Sequence, residues 1–226
     1  MSMPGEIKFK EVDLEDVADA TGKIAVFVGA DGKLVLDGTG AVYQVTLLEK
    51  LLVPLLTKLS NLVIDGGSAV DAAIAVNAAL GFLEPTANGL GGDLFAIVWD
   101  PKTEKLYGLN ASGRAPASLT IDKVPPEEDG TVPVYSVYSW TVPGCADGWF
   151  ELHEKFGNLP MEDVLRPAAK LAREGAPVPQ VIAGSWARSV PRFKDMPGFA
   201  EVFMPGGKAP AEGEVFANPA LAHTLD

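Results

Sequence analysis

The chain has 226 residues, 47% hydrophobic and 21% charged, with a net charge of -12, one cysteine and two histidines. That length and apolar share suffice for one sizeable core or two small ones and exclude general disorder. The acidic balance argues against nucleic acid, which needs clustered Lys and Arg. The lone Cys145 excludes an internal disulfide and a Cys-rich metal site, and two histidines make a His-based metal centre or a Ser-His-Asp triad hard to build.

In chain order, residues 1–22 are polar and acidic and read as a loosely held helix or arm. They contain no apolar h-region, which sets the expectation of a cytoplasmic protein, and no run of about 18 apolar residues marks a membrane span. Residues 23–36 read as two short strands around the hairpin signal Asp31-Gly32. From Val42 to Val63, Val45, Leu48, Leu52, Leu55, Leu56, Leu59 and Leu62 recur at helical spacing, with Pro54 as a kink. Asp65-Gly66-Gly67 ends that run. Ser68 then has the chemistry of an N-cap, with Asp71 three residues on as an imperfect capping box. The following AVDAAIAVNAAL predicts a helix small-faced enough to lie close to its neighbours.

Pro85 closes that helix, and Asn88-Gly89-Leu90-Gly91-Gly92 forms a turn. LFAIVWD and the segment around Lys105–Leu109 read as strands joined by the Pro101-Lys102-Thr103 turn, and residues 111–131 as loop. The aromatic, alternating run from Val132 to Val142 predicts another strand. Pro143-Gly144 leads into a helix carrying Trp149, Phe150, Leu152 and Phe156. Leu159-Pro160 opens the helix MEDVLRPAAKLAREG, which Gly175 closes. Residues 180–190 form a candidate helix, and a last one starts at Pro219. On this pattern the sequence reads as truncated inside that helix.

Glycine-rich turns invite a phosphate-loop reading, which the order of elements rejects. A dinucleotide loop runs strand, glycines, helix, so that the helix N-terminus faces the pyrophosphate. Here Gly89, Gly91 and Gly92 follow a helix and precede a strand, and there is no Gly-Lys-Ser/Thr. The glycines read instead as sites of close backbone approach.

Several ordered motifs together resemble the gamma-glutamyltranspeptidase family. They are Gly66-Gly67-Ser68-Ala69-Val70-Asp71-Ala72-Ala73, Glu84-Pro85, Gly89-Leu90-Gly91-Gly92 before a strand, Arg114-Ala115-Pro116, Thr141-Val142-Pro143-Gly144 before a helix, Gly157-Asn158-Leu159-Pro160 and Gly213-Glu214-Val215-Phe216. On this resemblance residues 61–226 form a large-subunit region, truncated at its C-terminus, and residues 1–60 a divergent segment that does not match. It implies an α+β fold, the four-layer αββα sandwich of the N-terminal-nucleophile hydrolases, incomplete in this chain. It further implies a self-cleaving precursor whose new N-terminal threonine attacks the gamma-glutamyl amide of a glutathione-like or related substrate. The threonine's own amine can serve as base, which removes the need for histidine. No cofactor or metal is expected. The implied partners are the small-subunit half of the same precursor and a gamma-glutamyl small molecule.

The implied nucleophile stretch, Thr-Thr-His-like, is not found in the sequence. Thr39 and Thr131 each follow Asp-Gly but read as turn residues. No catalytic residue is therefore assigned, and the chain alone is expected to be inactive, aggregation-prone or oligomeric. Glutamyl-specific members of the family carry an arginine three residues before Ala-Pro; here Ser112 holds that place and Arg114 lies directly before Ala115-Pro116. Arg114 is the candidate contact for a substrate carboxylate, the alternative being an ion pair that ties its loop to a neighbour. Asp71 reads as a structural acceptor, His153 as a surface residue, and Trp140, Trp149 and Trp186 as core or subunit contacts. Cys145, at a helix start, has access to thiolate character but receives no role. The alternative to an enzyme is a non-catalytic relative that binds a partner through the surface the missing half would cover.

Overall fold

The computed structural model describes residues 10–11, 27–28, 34–35, 66–127 and 129–226. The helical reading of residues 42–63 lies outside them. In chain order the elements are β1 (Lys10–Glu11), β2 (Phe27–Val28), β3 (Leu34–Val35), α1 (Ala69–Leu83), β4 (Leu94–Asp100), β5 (Lys105–Ala111) and α2 (Cys145–Phe156). There follow α3 (Met161–Glu174), β6 (Ala176–Pro177), α4 (Gln180–Phe193), α5 (Phe199–Phe203), β7 (Val215–Phe216) and α6 (Pro219–Leu225). Two compact units emerge, one built on residues 90–152 with β1, the other on residues 66–89 and 153–226 with the β2–β3 pair.

The first unit rests on the β4–β5 hairpin, in register from Leu94 opposite Ala111 to Asp100 opposite Lys105. Its turn is held by the Asp100 carboxylate, which accepts from the Lys102 amide at 3.0 Å and the Thr103 hydroxyl at 2.8 Å. Those two donors, the Thr103 hydroxyl foremost, lower the Asp100 pKa. β1 pairs antiparallel with the other side of β5, giving the order β1-β5-β4. Side chains alternate across β4: Leu94 is buried, whereas Phe95, Ile97 and Trp99 are 57%, 56% and 52% exposed. Helix α2 meets the end of the hairpin at Gly148, against Leu94 and Ala111.

The strand expected at Val132–Val142 does not form. Residues 137–139 make a single 3-10 turn instead. The cause is local hydroxyl chemistry. Ser136 Oγ donates to Pro133 O and accepts from Tyr138 N, and Ser139 Oγ donates to the carbonyls of Val134 and Ser136. The carbonyls of Pro133, Val134 and Ser136 and the amide of Tyr138, which a ladder would have drawn on, are thus bound within the segment.

In the second unit, β2 and β3 pair antiparallel, Phe27 opposite Val35, as the hairpin signal predicts. The capping box of α1 is complete: Ser68 Oγ accepts from Asp71 N at 3.0 Å, and Asp71 Oδ2 accepts from Ser68 N at 2.7 Å. Aspartate therefore closes a motif usually written with glutamate. Helix α1 packs on α3, which packs on α6. The buried alanines Ala75, Ala78 and Ala79 of α1 and Ala168, Ala169 and Ala172 of α3 keep the side chains at these faces short. Behind them Phe82 stacks on Phe216 at 5.7 Å, and Trp186 meets Phe216 edge-on at 4.8 Å. The Trp186 indole N–H donates to Phe203 O at 2.8 Å, so the buried ring leaves no unpaired donor. Each such fully buried large side chain stabilises the unit by roughly 1.5–3 kcal/mol.

Candidate active site

Three segments far apart in sequence meet at one end of the hairpin in the first unit: residues 90–93, 111–114 and 141–145. The register explains the first two, because Leu94 opposite Ala111 brings both strand ends together. The third threads between them. The amides of Gly144 and Cys145, at the start of α2, both donate to Gly92 O, at 3.1 and 3.0 Å. Thr141 Oγ1 donates to Asp93 Oδ1 at 3.0 Å. Val142 N donates to Arg114 O at 2.8 Å.

Two glycines make the interlock possible. Gly113 has φ +74°, and any Cβ there would overlap the Val142 carbonyl oxygen. A Cβ on Gly144 would overlap Ala111 O and lie 2.5 Å from Gly113 N. Only backbone fits in both places.

Arg114, the candidate substrate contact, sits on this interlock with its side chain exposed. Ser112 beside it is half-buried, its amide bound to Asn110 Oδ1 at 3.0 Å. Cys145 is buried, and its thiol is pushed up to about 11, first by burial and then by the nearby Asp93 carboxylate. The thiolate character that a helix N-terminus can confer is thereby overruled. The Gly92 carbonyl occupies the amides that would have supplied it.

Elsewhere the residues set aside as structural divide. Asp71 is fully buried, and its Oδ2 accepts from Ser68 N, Asn158 N and Leu159 N at 2.7, 2.9 and 3.3 Å. It is an acceptor, as expected. Its Oδ1 is buried with no hydrogen-bond donor among the described residues, and His153 Nε2 stands 3.9 Å away. His153 corrects its surface reading: its side chain is 23% exposed and Nε2 donates to Leu159 O at 2.5 Å. Trp149 and Trp186 are buried, but Trp140 is 57% exposed and belongs to no core. Thr131 is a turn residue, its amide and hydroxyl both donating to Asp129 Oδ1 at 2.9 and 2.6 Å, which lowers the Asp129 pKa. Thr39 lies outside the described residues.

Among the described residues no three His, Cys, Asp or Glu side chains gather to hold a metal, and no helix is long and apolar enough to cross a membrane. Sequence reasoning missed Thr141 and Asp93 as a pair. The available signal was the Thr-Val-Pro-Gly motif, whose first residue carries a hydroxyl at the mouth of a helix.

The family model described as Gamma-glutamyltranspeptidase matches residues 60–226. The chain is similar to the Glutathione hydrolase-like YwrD proenzyme of Bacillus subtilis, 34% identical over 174 residues that cover 76% of this chain and 33% of that protein. Among solved structures it resembles the cephalosporin acylase of Bacillus halodurans, with 43% identity and a TM-score of 0.67 over 73% of this chain and 32% of the other. It also resembles the gamma-glutamyltranspeptidase of Helicobacter pylori, with 28% identity and a TM-score of 0.68 over 76% of this chain and 50% of the other. The fold is thus α+β of the N-terminal-nucleophile hydrolase type, as expected. The chain spans a quarter to a third of the length of the first curated relatives it matches.

Proposed function

The chain belongs to the gamma-glutamyltranspeptidase family, and on that premise we propose that it supplies the large-subunit region of an amide-bond hydrolase or acyltransferase. The family match over residues 60–226 carries this reading. In the proposed reaction a threonine outside this sequence attacks the substrate's gamma-glutamyl or related acyl amide through its hydroxyl, the amide C–N bond breaks, and the amine leaves with the hydroxyl's proton. The acyl-enzyme then passes its acyl group to water or an acceptor amine. Arg114 holds a substrate carboxylate, and the residue types support that role: a guanidinium grips a carboxylate through two parallel hydrogen bonds. The proposed domain division remains 1–60 and 61–226.

The partner in this reading is the small-subunit half of the same precursor. The apolar row Phe95, Ile97 and Trp99 on β4 is the kind of sheet face that a second protein layer covers.

The test takes the product of the complete coding region. Mass spectrometry should find two fragments, the second beginning with threonine, and gamma-glutamyl-p-nitroanilide should release nitroaniline. A single intact chain of 23.7 kDa without release would overturn the reading and leave a binding module. Within an active protein, Arg114→Ala or Arg114→Lys should raise KM by tenfold or more, on the order of one lost charged hydrogen-bond pair.

A further inference from the structure

The interlock at the hairpin end has a directional logic. Val142 holds the backbone at and just before Arg114: its carbonyl lies against Gly113, and its amide donates to Arg114 O. The position of Val142 therefore sets the backbone from which the Arg114 side chain starts. Val142 is in turn anchored on both flanks to the Gly92-Asp93 turn. Downstream, Gly144 and Cys145 bind Gly92 O through their amides; upstream, the Thr141 hydroxyl binds Asp93 Oδ1. All these links but one run through backbone amides and carbonyls and are closed to substitution. The exception is the Thr141–Asp93 bond.

From this geometry we infer that Thr141 is a positioning residue for substrate binding, acting through Val142 on Arg114, with Asp93 as its anchor. The inference rests on the proposed reading of Arg114 as the carboxylate contact. It makes Thr141 a specificity-determining position: the hydroxyl fixes where the guanidinium originates without touching the substrate. Loss of the hydroxyl is expected to weaken ground-state binding and leave the chemical step alone.

The test uses the full-length protein with Thr141→Val, Thr141→Ser and Asp93→Asn, Arg114→Ala as reference, and gamma-glutamyl-p-nitroanilide as substrate. Thr141→Val should raise KM about threefold to tenfold, the size of one ordinary hydrogen bond, with kcat little changed. Thr141→Ser and Asp93→Asn, which keep a donor and an acceptor, should restore KM. Hydrogen exchange at the Val142 amide gives a readout independent of activity: it should quicken in Thr141→Val and not in Thr141→Ser. Unchanged exchange and unchanged KM in Thr141→Val overturn the inference outright. Quicker exchange with unchanged KM, while Arg114→Ala raises KM, shows that the tether exists but positions nothing. If Arg114→Ala itself leaves KM unchanged, the substrate role of Arg114 has failed and the inference falls with it. A parallel loss of kcat and thermal stability in Thr141→Val would reduce the bond to a structural one and also overturn the proposal.

Discussion

Asp71 shows what a single buried carboxylate can organise. One of its oxygens takes three amides, from Ser68, Asn158 and Leu159, and so ties the start of α1 to the loop before α3. Asp71→Ala would strand three donors in the interior and should cost roughly 3 to 5 kcal/mol. Asp71→Asn keeps an oxygen in the accepting position and should lose less. Urea denaturation checks both, and equal midpoints for the two variants would refute the amide-clamp account. Cys145 makes the opposite case, a titratable group kept silent. Its folded-state pKa of about 11 exceeds the ordinary thiol value of 9.0. Burial as the neutral thiol therefore contributes stability that is complete below pH 9 and is lost as pH rises towards 11. Cys145→Ala should flatten that part of the stability-against-pH curve; a slope unchanged in the variant would place its origin elsewhere. Asp71 was legible in sequence because a carboxylate in a small-faced helix has to find donors. His153 was not, because its partner carbonyl comes from the loop beyond its own helix, which helical periodicity does not register.

At the scale of elements, α1 was readable from its Ser68 cap and the Pro85 stop, and α3 from its apolar spacing and the Gly175 stop. Ser68→Ala removes the hydroxyl that accepts from Asp71 N and should lower stability by about 1 kcal/mol. A variant with an unaltered denaturation midpoint would mean that the Asp71 half of the box suffices. The segment 132–142 misled because alternation of apolar residues measures fitness for a pleated surface, not the presence of a partner strand. Ser136 and Ser139 spend its backbone groups inside the segment, and Val134, Tyr135 and Val137 stay exposed. The interlock of residues 90–93, 111–114 and 141–145 was half legible. Its glycines signalled close approach, but the pairing of Thr141 with Asp93 across 48 positions leaves no local pattern.

For the molecule as a whole, the family motifs placed the fold in sequence, and no composition or periodicity argument would have done so alone. The division into two units, each drawing on separate stretches of chain, follows from long-range contacts that have no sequence signature. The exposed row on β4 is expected to govern how this chain behaves by itself. Light scattering should find oligomers or aggregates, and Phe95→Ser, Ile97→Thr and Trp99→Thr combined should shift the population towards monomer. A monodisperse unmodified chain would contradict the expectation. That same hairpin also carries a timing problem. It is local enough to form within microseconds of leaving the ribosome. The residues from Ser112 to Asp226 then take roughly 6 to 23 seconds to be synthesised, at about 5–20 residues per second. Throughout that interval three large apolar side chains stand exposed on a paired hairpin, so the nascent chain is expected to engage chaperones that hold hydrophobic surface.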